Sequence, residues 1–139
     1  MPAARVYYEE DHALSAALAA ETNTADARRN LAINCNNLGD LCKAEGKPAE
    51  ARAYYEKGCA LMVALVEETD TVDARQNLAV SYSKLGDICI AEGDLAGARI
   101  CYEKDYEITA ALAAETGAVD TRHNLAVSCS KLGDLCREE

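Results

Sequence analysis

The tripeptide Asn-Leu-Ala begins at Asn30, at Asn77 and at Asn124, so the chain repeats itself every 47 residues. The likeness runs well beyond three residues. Residues 25–44 (ADARRNLAINCNNLGDLCKA) recur as 72–91 (VDARQNLAVSYSKLGDICIA) and 119–138 (VDTRHNLAVSCSKLGDLCRE), with nine of the twenty positions identical in all three. A second block, 51–57 (ARAYYEK), matches 98–104 (ARICYEK) and 4–10 (ARVYYEE). A period of this length points to one supersecondary unit per copy, each burying its apolar face by stacking on its neighbours.

The unit is helical. Leu31, Cys35, Leu38 and Cys42 are spaced 4, 3 and 4 apart, and the stripe returns as Leu78, Tyr82, Leu85, Cys89 and as Leu125, Cys129, Leu132, Cys136. That spacing lines one face at 3.6 residues per turn and does not fit a strand. Beside it run Ala32 and Gly39, with Ala79/Gly86 and Ala126/Gly133 as their copies. Small residues a heptad apart let a second helix come close. A glycine inside a helix costs ~1 kcal/mol relative to alanine, so its threefold recurrence argues for a packing reason. Composition agrees: half of the 139 residues are hydrophobic, only two are proline, and tyrosine is the sole aromatic.

The punctuation repeats as well. Asn23, Asp70 and Gly117 are residue types that accept a left-handed backbone at a helix C-terminus. Thr24 and Thr71 follow as N-caps, with Ala118 in the third copy, and Asp26, Asp73 and Asp120 fall in the first turn. Glu45-Gly46-Lys47-Pro48 and Glu92-Gly93-Asp94-Leu95 end one helix and start the next. The expected helices span about 3–21, 25–44, 48–68, 72–91, 95–115 and 119–138. The expected fold is an all-α α-solenoid of three antiparallel helix pairs forming a right-handed superhelix. One repeat domain would fill residues 1–139, with units of about 1–45, 46–92 and 93–139. Each such unit has a second helix followed by a first. In that phase the first helix lacks a predecessor and the last lacks a follower, so two explanations stand: the chain is a piece of a longer array, or copies of it associate head to tail through these uncapped ends.

Leu85-Gly86, Gly93-Asp94-Leu95, Ala98 and Tyr102 follow the spacing L-G-x6-G-x-Y/L-x2-A-x3-Y, and Leu38-Gly39, Gly46, Ala51 and Tyr55 follow it in the preceding unit. This pattern resembles the tetratricopeptide repeat family, and in particular its long-unit bacterial arrays. The usual unit is about 34 residues; here it is 47. The aromatic positions of the first helix are held by Cys35, Tyr82 and Cys129, and then by Cys42, Cys89 and Cys136.

In that family the first helix of each pair lines a concave groove. The resemblance therefore implies groove positions at Asn36, Asn37, Asp40 and Lys43, at Ser83, Lys84 and Asp87, and at Ser130, Lys131, Asp134 and Arg137. Members that clamp a C-terminal carboxylate use asparagine where this chain has Asp40, Asp87 and Asp134. An acidic row repels a carboxylate, so a basic or neutral peptide is the expected ligand. The other reading of the row is a solvated ladder with hydrogen bonds between repeats, or local pairs such as Asp87 with Lys84, each contributing ~0.3–0.5 kcal/mol.

Other chemistry finds little support. The net charge of -10 disfavours nucleic acid and anionic membranes, which draw on lysine and arginine. No stretch has the ~18–20 apolar residues needed to span a bilayer. The N-terminus has no apolar signal region, so a cytoplasmic location is expected. The seven cysteines form no C-x-x-C pair. Cys35 and Cys42 are about 10 Å apart along a helix, too far for a disulfide or a shared metal, so core filling is their expected role. His12 and His123 are expected at the surface. No catalytic set, metal site or cofactor motif is present. The leading expectation is a non-catalytic scaffold that binds a peptide or partner domain. The alternative is a regulatory arm of a larger signalling protein such as an ATPase switch or kinase, and an enzyme ranks third.

Overall fold

The computed structural model describes residues 2–138, which form six α-helices with no strand among the described residues. They are α1 (Pro2–Thr22), α2 (Ala25–Ala44), α3 (Pro48–Thr69), α4 (Val72–Ala91), α5 (Leu95–Thr116) and α6 (Val119–Glu138). Each helix packs on the next in the chain, and the contact is most extensive between α2 and α3 and between α4 and α5. The chain is an α-solenoid of helix pairs.

The helix ends follow from local chemistry. Asn23, Asp70 and Gly117 have φ of 52°, 41° and 63°, the left-handed conformation that turns the chain out of a helix. Thr24 Oγ1 then accepts from the Ala27 amide at 3.2 Å, and Thr71 Oγ1 from the Ala74 amide at 3.1 Å. Each cap satisfies one amide that has no partner within its helix and contributes ~1 kcal/mol. The third copy lacks the cap threonine, and Thr116 Oγ1 instead accepts from the Ala118 amide at 3.3 Å. At the other turns Gly46 and Gly93 sit at φ 76° and 77°. Pro48 then opens α3, while Asp94 caps α5 by accepting from the Gly97 amide at 2.9 Å.

The core lies between successive helices. Ala32 of α2, Met62 and Leu65 of α3, and Ala74 and Leu78 of α4 form one buried cluster. Cys42, Ala51, Tyr55 and Ile88 form a second across the same three helices, and Cys89, Ala98, Tyr102 and Leu135 repeat it across α4, α5 and α6. Each of these three clusters draws on three consecutive helices, so the pairs within them do not close their cores alone. Burying one leucine or methionine side chain contributes ~1.5–3 kcal/mol, and stacking is what removes these side chains from water.

Ion pairs repeat at a fixed offset along the surface. Arg28 meets Glu68, and Arg75 meets Glu115 at 2.7 Å, joining the start of a first helix to the end of the second. Arg5 meets Glu45 at 2.5 Å, and Arg52 meets Glu92 at 3.1 Å. Exposed pairs of this kind contribute only ~0.2–1 kcal/mol each. Their periodicity sets register more than it sets stability.

Candidate interaction surface

The aspartate row is built into the joints between helices. Gly39 and Gly86 allow α3 and α5 to approach so closely that the rings of Tyr55 and Tyr102 occupy the space of the missing Cβ atoms. The tyrosine hydroxyls then reach the adjacent carboxylates: Tyr55 donates to Asp40 at 2.6 Å and Tyr102 to Asp87 at 2.5 Å. A lysine from the next first helix completes each joint. Lys84 donates to both oxygens of Asp40 at 2.8 Å, and Lys131 approaches Asp87 at 3.4 Å while donating to Ser83 at 2.5 Å. Both ammonium groups also lie over the tyrosine rings, at 6.0 Å and 5.5 Å from the centroids. Burial and the carboxylate acceptors push both phenols well above their ordinary range. Lys84 therefore pairs with Asp40 of the preceding unit and not with Asp87 on its own helix. The reason is geometric: α2 and α4 run side by side, which aligns positions 40 and 84.

The remaining groove positions are scattered in environment. Asn36 is half-buried and donates to Ser81 Oγ at 3.3 Å, bridging α2 to α4. Asn37 is half-buried, whereas Lys43, Ser130, Asp134 and Arg137 are exposed. Of the seven cysteines, Cys35, Cys42, Cys59, Cys89 and Cys101 are buried as fillers, while Cys129 and Cys136 are exposed. His12 differs from expectation. It is half-buried, packs edge-on against Tyr54 at 5.9 Å, and loses basicity through desolvation and the nearby Lys57 charge.

A cleft of about 430 Å³ opens between α4 and α6, with α5 as its floor. Its origin is a change of side chains at equivalent positions. The buried face of α3 reads Ala51, Tyr55, Gly58, Met62, Leu65, and that of α5 reads Ala98, Tyr102, Asp105, Thr109, Leu112. Thr109 is shorter than Met62 and leaves space, while Asp105 puts a carboxylate where Gly58 has none. Thr121 likewise stands in the place of Ala74. Asn77, Ser83 and Asn124 add polar groups to the walls.

Asp105 is only 7% exposed. Burial pushes its carboxyl up to about 6; the Lys131 ammonium and the Ser128 hydroxyl pull it back, and Asp87 pushes it further up. A carboxylate so placed is short of compensating charge, because Lys131 is already shared between Asp87 and Ser83. Asp105 is not among the groove positions expected from the sequence. Its signal was present: it falls on the stripe 98, 102, 105, 109, 112, and a charged residue on a buried stripe needs a partner or a function. Among the described residues no group of histidine, cysteine and acidic side chains is arranged to hold a metal ion, and no helix is long and apolar enough to cross a membrane.

These features define a helical-repeat protein. The family model described as tetratricopeptide repeat matches residues 32–61 and 73–111, which fall on the α2/α3 and α4/α5 pairs, and these matches support placing the chain in the tetratricopeptide repeat family. Tetratricopeptide repeats generally mediate protein–protein interaction and are typically non-catalytic. Among solved structures, a de novo designed helical repeat protein is similar at a TM-score of 0.49 and 13% identity, covering 91% of this chain and 65% of that one. No curated protein matches the chain.

Proposed function

We propose that this chain is a non-catalytic interaction scaffold whose α4/α6 cleft takes an extended segment of a partner protein, with a basic side chain seated at Asp105. The carrying observation is the buried Asp105 carboxylate on the floor of an open cleft of about 430 Å³. A lysine or arginine entering the cleft would supply the charge that burial denies this group, and the overall charge of -10 would steer such a partner in. Ser83, one of the groove positions, lines this cleft; Asp40 and Asp87 are better read as joints that hold its walls. Asn36, Asn37, Lys43, Ser130, Lys131, Asp134 and Arg137 form the surrounding surface in this reading. The domain spans all 139 residues as a long-unit array. All seven cysteines are free thiols, which supports a reducing, cytoplasmic setting. The same reading includes association of the chain with copies of itself through α1 and α6.

Selection of a randomised peptide library on the immobilised chain tests the cleft. Lysine and arginine should be enriched over the starting pool, and Asp105→Asn should erase that enrichment while the protein stays folded by circular dichroism. Selection without a basic preference, or a preference unchanged by Asp105→Asn, would sink the assignment.

A further inference from the structure

We propose that the partner segment crosses α2, α4 and α6 in a polyproline II conformation, with aliphatic side chains three residues apart seated on Ile33, Val80 and Val127 and its basic residue between the last two. This rests on the reading of the Asp105 cleft and names the chemistry of its occupant.

Ile33, Val80 and Val127 hold one position in the repeat, near the middle of α2, α4 and α6. They are exposed to 39%, 49% and 43%. Scattered exposed aliphatics are ordinary on a protein surface, but three in register form a ladder. Val80 stands between two neighbouring first helices: Lys84 of its own helix bonds Asp40 of α2, and Lys131 of α6 reaches Asp87. Its exposure therefore does not arise from an open end. A β-branched side chain is also a poorer helix former than alanine, and here it recovers little through burial. On α4, Asp73, Asn77, Val80, Lys84 and Asp87 are spaced 4, 3, 4 and 3, which aligns them on one face. Val80 is thus the apolar centre of a polar row.

The spacing of the rungs selects the conformation of the occupant. Side-by-side helices put successive rungs about 10 Å apart. A polyproline II chain has three residues per turn and rises ~3.1 Å per residue, so side chains three apart recur on one face every ~9 Å. A β-strand presents one face every ~7 Å and misses the middle rung.

The two gaps between rungs differ in charge. Between Ile33 and Val80, Gly58 brings no carboxylate, and the Asn36 amide oxygen lies 2.8 Å from where its Cβ would stand. Between Val80 and Val127, Asp105 holds the equivalent position, on the floor of the cleft that both valines line. Asp120 adds a second carboxylate to that cleft. Charge complementarity therefore calls for a basic residue in the second gap alone. The aliphatic contacts supply affinity, and Asp105 fixes the register.

Selection of a randomised peptide library on the immobilised chain tests this through two readouts of its own. Selected sequences should carry aliphatic residues three positions apart, with a lysine or arginine between two of them. A fluorescently labelled selected peptide should then bind Val80→Ser and Ile33→Ser about fivefold or more weakly than the parent in an anisotropy titration. Ile100→Ser, at a residue 57% exposed on α5 and outside the cleft, should bind as the parent does. Serine matches valine and isoleucine as a helix former, so melting curves should show all three variants folded. Basic residues selected through Asp105 without aliphatic periodicity overturn the ladder and leave the cleft reading standing. So does an affinity that ignores Val80→Ser, or one that falls equally in Ile100→Ser. Aliphatic periodicity with no basic preference sinks the Asp105 assignment and, with it, the register proposed here. A library that yields no enriched sequence overturns both.

Discussion

The ring of Tyr55 occupies the space that a Cβ on Gly39 would fill, and its hydroxyl donates to Asp40, the residue beside that glycine. One substitution therefore has opposite signs at equivalent positions. Alanine at Gly39 or Gly86 adds a methyl against a packed ring; overpacking costs ~1–3 kcal/mol, more than the ~1 kcal/mol gained in helix propensity. Alanine at Gly133 meets only open space and keeps the propensity gain. Thermal melting at low protein concentration should show Gly39→Ala below the parent and Gly133→Ala at or above it.

The phenol and the carboxylate should be energetically coupled. Tyr55→Phe keeps the ring in the notch and removes the 2.6 Å bond, at an expected cost of ~1 kcal/mol. Asp40 keeps its Lys84 partner in that variant, so the loss stays modest. In a double-mutant cycle with Asp40→Ala, a coupling energy near zero would show that the bond holds nothing together.

Asp105 makes stability fall as pH rises through a defined window. Its folded value of about 6 lies above the ordinary 3.8, so between these values the folded chain holds a proton that the unfolded chain has released. The stability from the neutral form is fully present below about 4, is lost as pH approaches 6, and is absent above that. Lys131 from α6 and Asp87 from α4 face the group and act in opposite directions. Asp105→Asn should thus stabilise the chain at pH 7–8 by on the order of 1–3 kcal/mol. The difference from the parent should shrink toward pH 4, as read from denaturant unfolding at a series of pH values.

Thiol reactivity should divide the cysteines by exposure. Cys129 and Cys136 are exposed, while the other five are buried and burial raises their thiol pKa values, with Cys101 pushed up to about 12. Titration of the native, dilute chain with a thiol reagent should give two fast groups of seven, the rest reacting only on unfolding. Seven fast groups would show that the buried fillers are accessible.

Much of this architecture is legible in the residues. Helix boundaries fall at Asn23, Asp70 and Gly117 because a left-handed turn needs those residue types, and Thr24 and Thr71 cap because of what their hydroxyls can reach locally. The partner of Lys84 was not legible. Its i,i+3 neighbour Asp87 is nearer along the chain, but stacking brings Asp40 from 44 residues away. The stripe 98, 102, 105, 109, 112 puts Asp105 on the buried face of α5, but that its carboxylate floors a cleft depends on how α4 and α6 pack beside α5, which no local pattern encodes.

The sequence alone determined the period, the helix pairs, their caps and the glycine notches, since each depends on residues within a turn or two of one another. Tertiary structure decided what each repeated residue does. Cys42 and Cys136 hold the same position in the repeat, yet one is fully buried and the other exposed. Gly39 is filled by a tyrosine ring, and Gly133 is open. Burial in a solenoid comes from the neighbouring helix, so identical residues in identical register acquire different roles according to what is packed against them.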